Sequence, residues 1–389
     1  MKRLIYLSPV PLNSPAQRPH HFVQWAHEHW GCEVWWIQPY PVRLPRLSDF
    51  RRLRRSQTQD LGPQWRNAPW LHTLSSPVLP VEPFALGRAW LQHSQRKLLS
   101  ELLQLLADDD CWLVIGRPSG LAVDLCEQLQ GRHVLYDVMD DMPHFSRGLS
   151  QRWMRKVHEQ VLSQAELVWG SAQKLIDAMQ GQTRQPPILV RNGTHLPAPA
   201  PNEAGPTSPV AQKQMVLGYV GTIASWFDWQ AVIELAVALP QAQIEIYGPL
   251  EAAIPSDLPS SIALRGPVPY EQVFDLMRNW NAGLIPFVRN TLTDSVDPVK
   301  YYEYRACGLP VISTMFGEMP LHLQNDPGLW DMQAADLVDS LPQKLQDWEQ
   351  QRAHNAASGK PGIPDYIKAA SWPARFAQGA QAMEGSNSI

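Results

Sequence analysis

The sequence predicts an α/β protein of two successive lobes, each built on a parallel sheet, and three observations carry that prediction. At 389 residues the chain is too long for one ordinary domain core. Short β-branched or aromatic runs alternate with segments of helical periodicity, the signature of βαβ units. The alternation stops at a stretch holding Pro197, Pro199, Pro201, Pro206 and Pro209 among small and polar residues, then restarts.

In the first lobe, residues 1–196, strands are expected at 3–7, 33–37, 112–115, 133–136, 167–170 and 188–190. Between the first two, Phe22, Trp25, Ala26 and Trp30 recur at helical spacing, and Gly31 stands where a helix C-cap belongs. A leucine stripe, Leu91, Leu98, Leu102, Leu105 and Leu106, predicts a core-facing helix over 89–106. Residues 197–212 are read as a linker. The second lobe, 213–371, should carry strands at 215–220, 244–247, 262–264, 282–285 and 311–313, with helices from about 229, over 270–280 and over 299–307. A last helix, 372–389, is expected to pack back on the first lobe.

With 33 basic and 37 acidic side chains the formal net charge is −4, which excludes the basic footprint of a nucleic-acid protein. Cys32, Cys111, Cys126 and Cys307 show no metal or disulfide spacing, and a reducing cytoplasm is expected. The apolar run before Pro9 is too short for a signal peptide, and no window reaches the roughly 18 apolar residues of a membrane span. The run Arg43, Arg46, Arg51, Arg52, Arg54 and Arg55 is read first as a solvated face. Contact with anionic lipid at the inner face of the membrane is the second reading. Of the tryptophans crowding the first seventy residues (Trp25, Trp30, Trp35, Trp36, Trp65 and Trp70), most are expected to fill the core.

The most informative stretch runs from Asp294 to Ser313. Asp297 suits an N-cap, Pro298 the first helical position, and Gly308 with Pro310 close the helix. Lys300 in the first turn opposes the helix dipole, so an anion there would relieve it. Glu303, one turn on, is placed to accept hydrogen bonds from hydroxyl groups. Taken residue by residue, Lys300 paired with Asp294 or Asp297 and a solvated Glu303 are the better account of the pattern. No metal is expected: His27 and His29 diverge on a helix and no ligand cluster accompanies them. A dinucleotide-binding dehydrogenase is disfavoured, because the loop after the first strand reads Ser8-Pro-Val-Pro-Leu-Asn-Ser and lacks G-x-G-x-x-G.

As a whole, Pro298-Val-Lys300-Tyr-Tyr-Glu303-Tyr-Arg-Ala306-Cys-Gly308-Leu-Pro310-Val-Ile resembles the donor-binding motif of the GT-B glycosyltransferases of the GT4-like group (glycosyl transferases group 1). Gly218-Tyr-Val-Gly221-Thr222 resembles that group's C-terminal glycine loop, and Gly266-Pro-Val268-Pro-Tyr270 its base-binding loop. In the first lobe Ser14-Pro-Ala-Gln-Arg18-Pro-His20-His21, Tyr136-Asp137-Val-Met-Asp140-Asp141 and Arg191-Asn192-Gly193 fall in the same order. The resemblance covers nearly the whole chain. It implies a GT-B fold, two Rossmann-like domains with parallel sheets facing across a cleft, and retaining, metal-independent transfer from a nucleotide diphosphate sugar, UDP favoured, to a saccharide or lipid-linked acceptor.

On the donor side the resemblance implicates Gly221, Thr222, Val268, Ser295, Val296, Val299, Lys300 and Glu303. Asp137, Asp140 and His144 are the candidates for touching the acceptor hydroxyl or the sugar, since polar groups gather at the carboxyl ends of parallel strands, and plain helix caps are the alternative reading for the carboxylates. Arg18, His20 and His21 are placed in a loop on the acceptor side, with a solvated loop the plainer reading for His20 or His21 singly. The sequence departs from the group's pattern at Ser295, where a glutamate contacting the donor sugar is usual, and in the loop 222–228, which lacks the usual diphosphate-binding cations. Two other readings follow: a sugar-nucleotide epimerase or hydrolase of the same fold, and a non-catalytic scaffold in a polysaccharide-assembly complex.

Overall fold

The computed structural model describes residues 1–42, 62–75, 82–108, 110–197, 214–358 and 363–386. The basic run 43–55 and nearly all of the expected linker lie outside them. The chain divides into two compact units, Met1–Arg191 with Phe376–Ile389, and Asn192–Arg375.

The first unit holds β1 (Arg3–Leu7), α1 (Arg18–Trp30), β2 (Glu33–Ile37), β3 (Leu71–Leu74), α2 (Ala85–Leu106), β4 (Cys111–Ile115), α3 (Gly120–Leu129), β5 (Val134–Val138), α4 (Gly148–Gln164), β6 (Leu167–Gly170), α5 (Gln173–Met179) and β7 (Ile188–Leu189). Its strands form one parallel sheet in the order β3-β2-β1-β4-β5-β6-β7. β1 lies inside it, with Leu4, Ile5 and Tyr6 fully buried, as a continuous apolar run flanked on both faces requires. Strand β3 is missed in the sequence because Leu71-His-Thr-Leu74 is a half-buried edge with no clean alternation.

The helix α1 ends as expected: Gly31 takes a left-handed φ of 64° and its N–H donates to His27 O at 2.8 Å. Its start differs from expectation, because Arg18, His20 and His21 belong to the first turn rather than to a loop. Pro19 presets the helical φ there, and the Gln17 side chain and His20 cap each other's backbone amides reciprocally. From Phe376 onward the last helix packs its aromatic ring against Phe22 (5.2 Å between centroids) and Trp25 (5.7 Å). Trp25 and Trp36 are buried, while Trp35, Trp65 and Trp70 are half-buried in aromatic stacks such as His27–Trp70 at 4.3 Å.

The second unit runs β8 (Val216–Val220), α6 (Trp229–Ala238), β9 (Gln243–Tyr247), β10 (Ile262–Gly266), α7 (Tyr270–Met277), β11 (Ala282–Ile285), α8 (Val299–Ala306), β12 (Val311–Ser313), α9 (Met319–Asn325), β13 (Leu329–Asp331), α10 (Leu337–Ala357) and α11 (Asp365–Lys368), and α12 (Trp372–Ser386) follows. Its parallel sheet is ordered β10-β9-β8-β11-β12-β13. Both sheets reverse their strand order beside the first strand of the unit, between β1 and β4 and between β8 and β11. That switch point opens a crevice at the carboxyl ends of the strands, where α/β sheets place ligands.

Candidate functional site

In the second unit the site begins where β8 ends. Gly221 adopts a φ of +156° and Gly248, after β9, a φ of +139°. A Cβ on Gly248 would sit 2.0 Å from the Gly221 carbonyl oxygen, so the two backbones approach as only glycine allows. The amide of Val220 donates to the Tyr304 hydroxyl at 3.2 Å, and that of Gly221 to Tyr247 O at 2.8 Å, which ties the turn to both β9 and α8.

Helix α8 is held by nearly every side chain it carries. Tyr301 donates to Asp326 (3.0 Å), Tyr302 to Asp297 (3.0 and 3.1 Å), and Arg305 makes a two-point pair with Asp326 (2.7 and 3.0 Å) while also donating to Leu309 O at 2.7 Å. With those positions committed to the unit's interior, Lys300 is directed at the glycine turn. A Cβ on Gly221 would meet Lys300 Cε at 2.2 Å and Nζ at 3.0 Å. Lys300 Nζ lies 3.9 Å from Glu303 Oε2, a loose pair whose lysine keeps 23% of its side-chain surface exposed while the glutamate keeps 8%. Burial raises the Glu303 carboxyl above its ordinary range, and Lys300 opposes that rise.

Asp297 is not the N-cap. The helix opens one residue later than expected, with Pro298 as the boundary. The 1%-exposed Asp297 carboxylate accepts instead from Tyr302, from the Asn192 amide (2.9 Å) and from His322 Nε2 (3.1 Å). Ser295, 3% exposed, has an Oγ with no hydrogen-bond partner among the described residues. An unmatched buried hydroxyl calls for an explanation, and a bound ligand is one. Val296 and Val299, in the same stretch, are half-buried. Thr222 is half-buried on the glycine turn and accepts from Tyr219 through its carbonyl at 3.0 Å, while Val268 packs on the same apolar cluster as Val296.

In the first unit Arg18 and Asp137 meet each other. Arg18 Nε and Nη2 reach the two Asp137 oxygens at 2.9 and 2.8 Å, and Nη1 donates to Val190 O at 2.8 Å and Arg191 O at 3.3 Å. At 3% and 1% exposure this pair clasps α1 to the carboxyl ends of β5 and β7 and is saturated. His20, fully buried, receives the Gln17 amide on Nδ1 (3.2 Å) and lies 3.3 Å from Leu12 O through Nε2, the arrangement of a neutral ring. Burial pushes its pKa down to about 4. His21 is 6% exposed. Asp140, past the end of β5, is half-buried. Its carboxyl is pushed up to about 7, first by burial, with Arg18 opposing and Asp141 and Asp137 adding to the rise. His144 Nδ1 lies 2.6 Å from Asp141 Oδ2 on a short 3-10 turn, Met142–Phe145.

Nothing in the sequence points to a small open recess at the first switch point, lined by Ser8, Gln38, Tyr40, Arg117 and Ser119 among others. Beneath it the 1%-exposed Glu82 accepts from the first amide of α3, at Gly120, and from Tyr40 OH at 3.3 Å. Ser119 caps that helix by accepting from the Ala122 amide at 3.2 Å. Only the Ser119-Gly120 step before an apolar run marks this corner in the sequence.

No family model matches the chain. A search of curated proteins finds the putative teichuronic acid biosynthesis glycosyltransferase TuaH of Bacillus subtilis (strain 168), 25% identical over an alignment of 260 residues that covers 61% of this chain and 64% of that protein. Among solved structures, sucrose-phosphate synthase from Thermosynechococcus elongatus superposes with a TM-score of 0.64 at 14% identity, covering 99% of both chains. The Anabaena HepE protein, solved in complex with UDP and glucose, gives 0.62 at 13% identity over 100% of both. The chain has the GT-B fold. With that fold, the Lys300–Gly221 contact stands at the switch point of the second Rossmann-like unit, and Asp140 beyond a strand end of the first.

Proposed function

We propose that this protein is a retaining glycosyltransferase of the GT4-like group that moves a sugar from a UDP-sugar to a saccharide or lipid-linked acceptor in polysaccharide or glycoconjugate synthesis. The observation that carries the reading is the Lys300 ammonium lying against the Gly221 backbone at the end of β8, with the buried Glu303 carboxylate behind it. That is a half-neutralised cation beside a turn only glycine can make, which suits the diphosphate of a donor. The fold shared with a protein solved in complex with UDP and glucose, and the similarity to a putative teichuronic acid glycosyltransferase, support the same chemistry.

In this reading Lys300 and amides near Gly221 and Val299 meet the charge that grows on the diphosphate as its bond to the anomeric carbon breaks. Glu303 accepts from the ribose hydroxyls, Val268 and Thr222 flank the base and phosphates, and the unmatched Ser295 Oγ faces the sugar with Val296. The acceptor oxygen bonds to the same carbon, and its proton leaves with the diphosphate oxygen. Asp140 contacts the acceptor hydroxyl, with His144 nearby on the following turn. No metal takes part. The protein works in the cytoplasm.

Release of UDP from a panel of UDP-sugars, measured with and without saccharide and lipid-linked acceptors, tests the reading. The proposal expects release that depends on acceptor, with the anomeric configuration kept in the product. Turnover of the UDP-sugar at equal rate without acceptor would instead establish the other enzymatic reading, with free UDP marking a hydrolase and an altered UDP-sugar marking an epimerase.

A further inference from the structure

Apart from His144, the short turn Met142–Phe145 and the first three turns of α4 carry a surface that the donor and acceptor chemistry does not use. Phe145 is 41% exposed and Leu149 55% exposed, and around them stand the exposed side chains of Arg147, Arg152, Arg155 and Lys156. On α4, Leu149, Arg152 and Lys156 follow one another at spacings of three and four residues, so they share one face, with Arg155 beside them. The opposite face, Met154, Val157, Val161 and Leu162, is buried in the first core. Among the described residues none of the four cations has a carboxylate within ion-pair distance. Glu159 is the one exposed acid further along that face.

Unneutralised positive charge beside two exposed large apolar side chains is the chemistry of an anionic lipid surface: the cations attract headgroups and the apolar pair enters the boundary below them. A soluble polyanion fits less well, since it offers Phe145 and Leu149 nothing to enter and the chain as a whole is acidic. We propose that this face of the first unit docks on anionic phospholipid. The patch begins directly after Asp140, so docking would hold the acceptor-contacting carboxylate close to the headgroup layer. A lipid-linked acceptor is then the expected substrate class; this last step, and only this one, rests on the function proposed above.

Sedimentation of the full chain with vesicles tests the surface. On phosphatidylcholine vesicles containing phosphatidylglycerol the wild type should partition strongly, on phosphatidylcholine alone weakly, and raising salt from about 0.1 M to about 0.5 M should release it. The Arg152→Ser/Arg155→Ser/Lys156→Ser variant should lose at least about tenfold in partition on the anionic vesicles. The Phe145→Ser/Leu149→Ser variant should lose partition while keeping the salt dependence of what remains. Equal partition on both lipids, or variants that partition like the wild type, overturns the proposal, as does binding to a DNA duplex without binding to vesicles. UDP calorimetry on the same preparations separates the two claims. Wild type that binds UDP but no vesicle overturns the lipid surface alone, and wild type that binds anionic vesicles but no nucleotide supports the surface and removes the transferase reading.

Discussion

Each unit carries a cation and a carboxylate brought together where the loops leave its sheet, and the two pairs are built oppositely. Arg18 and Asp137 join at two points within 2.9 Å, are nearly solvent-free, and give the remaining guanidinium protons to backbone carbonyls. Lys300 and Glu303 stand 3.9 Å apart, with the lysine part-exposed and pressed on a glycine backbone. A saturated pair has nothing left to offer a ligand and serves to hold elements in place. A loose pair beside a close backbone approach retains binding capacity. The Arg305–Asp326 pair, in the same helix as Lys300, is of the first kind and shows that α8 separates the two roles by face.

The largest effects should come from breaking the saturated pairs. Arg18→Ala or Arg305→Ala strands a buried carboxylate, and each should lower unfolding free energy in urea by roughly 3–5 kcal/mol. Folded Arg18→Ala protein should still bind UDP. A variant with unchanged stability and no turnover would reverse the assignment of Arg18 as a clasp.

Next come Gly221→Ala and Lys300→Ala, singly and together. The methyl of the first displaces Lys300, so each should weaken UDP binding by about tenfold, close to 1.4 kcal/mol, and the double variant by little more than either. Full additivity would separate the two residues.

The third effect is one of pH. Asp140 has its pKa raised from 3.8 to about 7, so the folded state holds a proton that the unfolded state releases. Its favourable contribution is whole below pH 3.8 and is lost as pH rises through 7. Asp140→Asn should match the wild type in stability near pH 4 and exceed it increasingly up to about pH 7, read from thermal melts. The same variant should lower turnover, and a variant as active as wild type at pH 8 would remove Asp140 from the reaction. His20 and His158, pushed down to about 4 by burial, act in the opposite sense: their contribution is present above 6.5 and lost as pH falls toward 4.

The smallest changes are expected at Ser295 and from chelation. Ser295→Ala removes a hydroxyl without a hydrogen-bond partner among the described residues, so stability should move by less than about 1 kcal/mol. The ranking of donor sugars should change, and an unchanged ranking would take Ser295 out of sugar contact. Excess chelator should leave turnover as it was; a loss restored by a divalent cation would show that the reaction uses a metal.

The sheets were legible because their strands are apolar runs with clear stops: β1, β2, β6, β11 and β12 stand where periodicity and turn residues place them. The edge strands β3 and β13 were not, since half-buried segments of four and three residues leave no pattern. Lys300 could be read from its conflict with the helix dipole, a local quantity. The fates of Arg18, Asp137 and Asp297 could not, because which donor a carboxylate meets depends on residues over a hundred positions away, as with Arg18 on Asp137 or the Asn192 amide on Asp297. Gly248 escaped notice for the same reason, its role being visible only once β8 and β9 lie side by side.

Calorimetric titration of UDP, GDP, ADP and TDP into wild type and Lys300→Ala tests the central claim most directly. The account predicts selective binding of UDP by the wild type and a loss of at least about tenfold in the variant, with thermal stability retained. Undiminished UDP binding by Lys300→Ala, or no binding of any of the four nucleotides by the wild type, would contradict it.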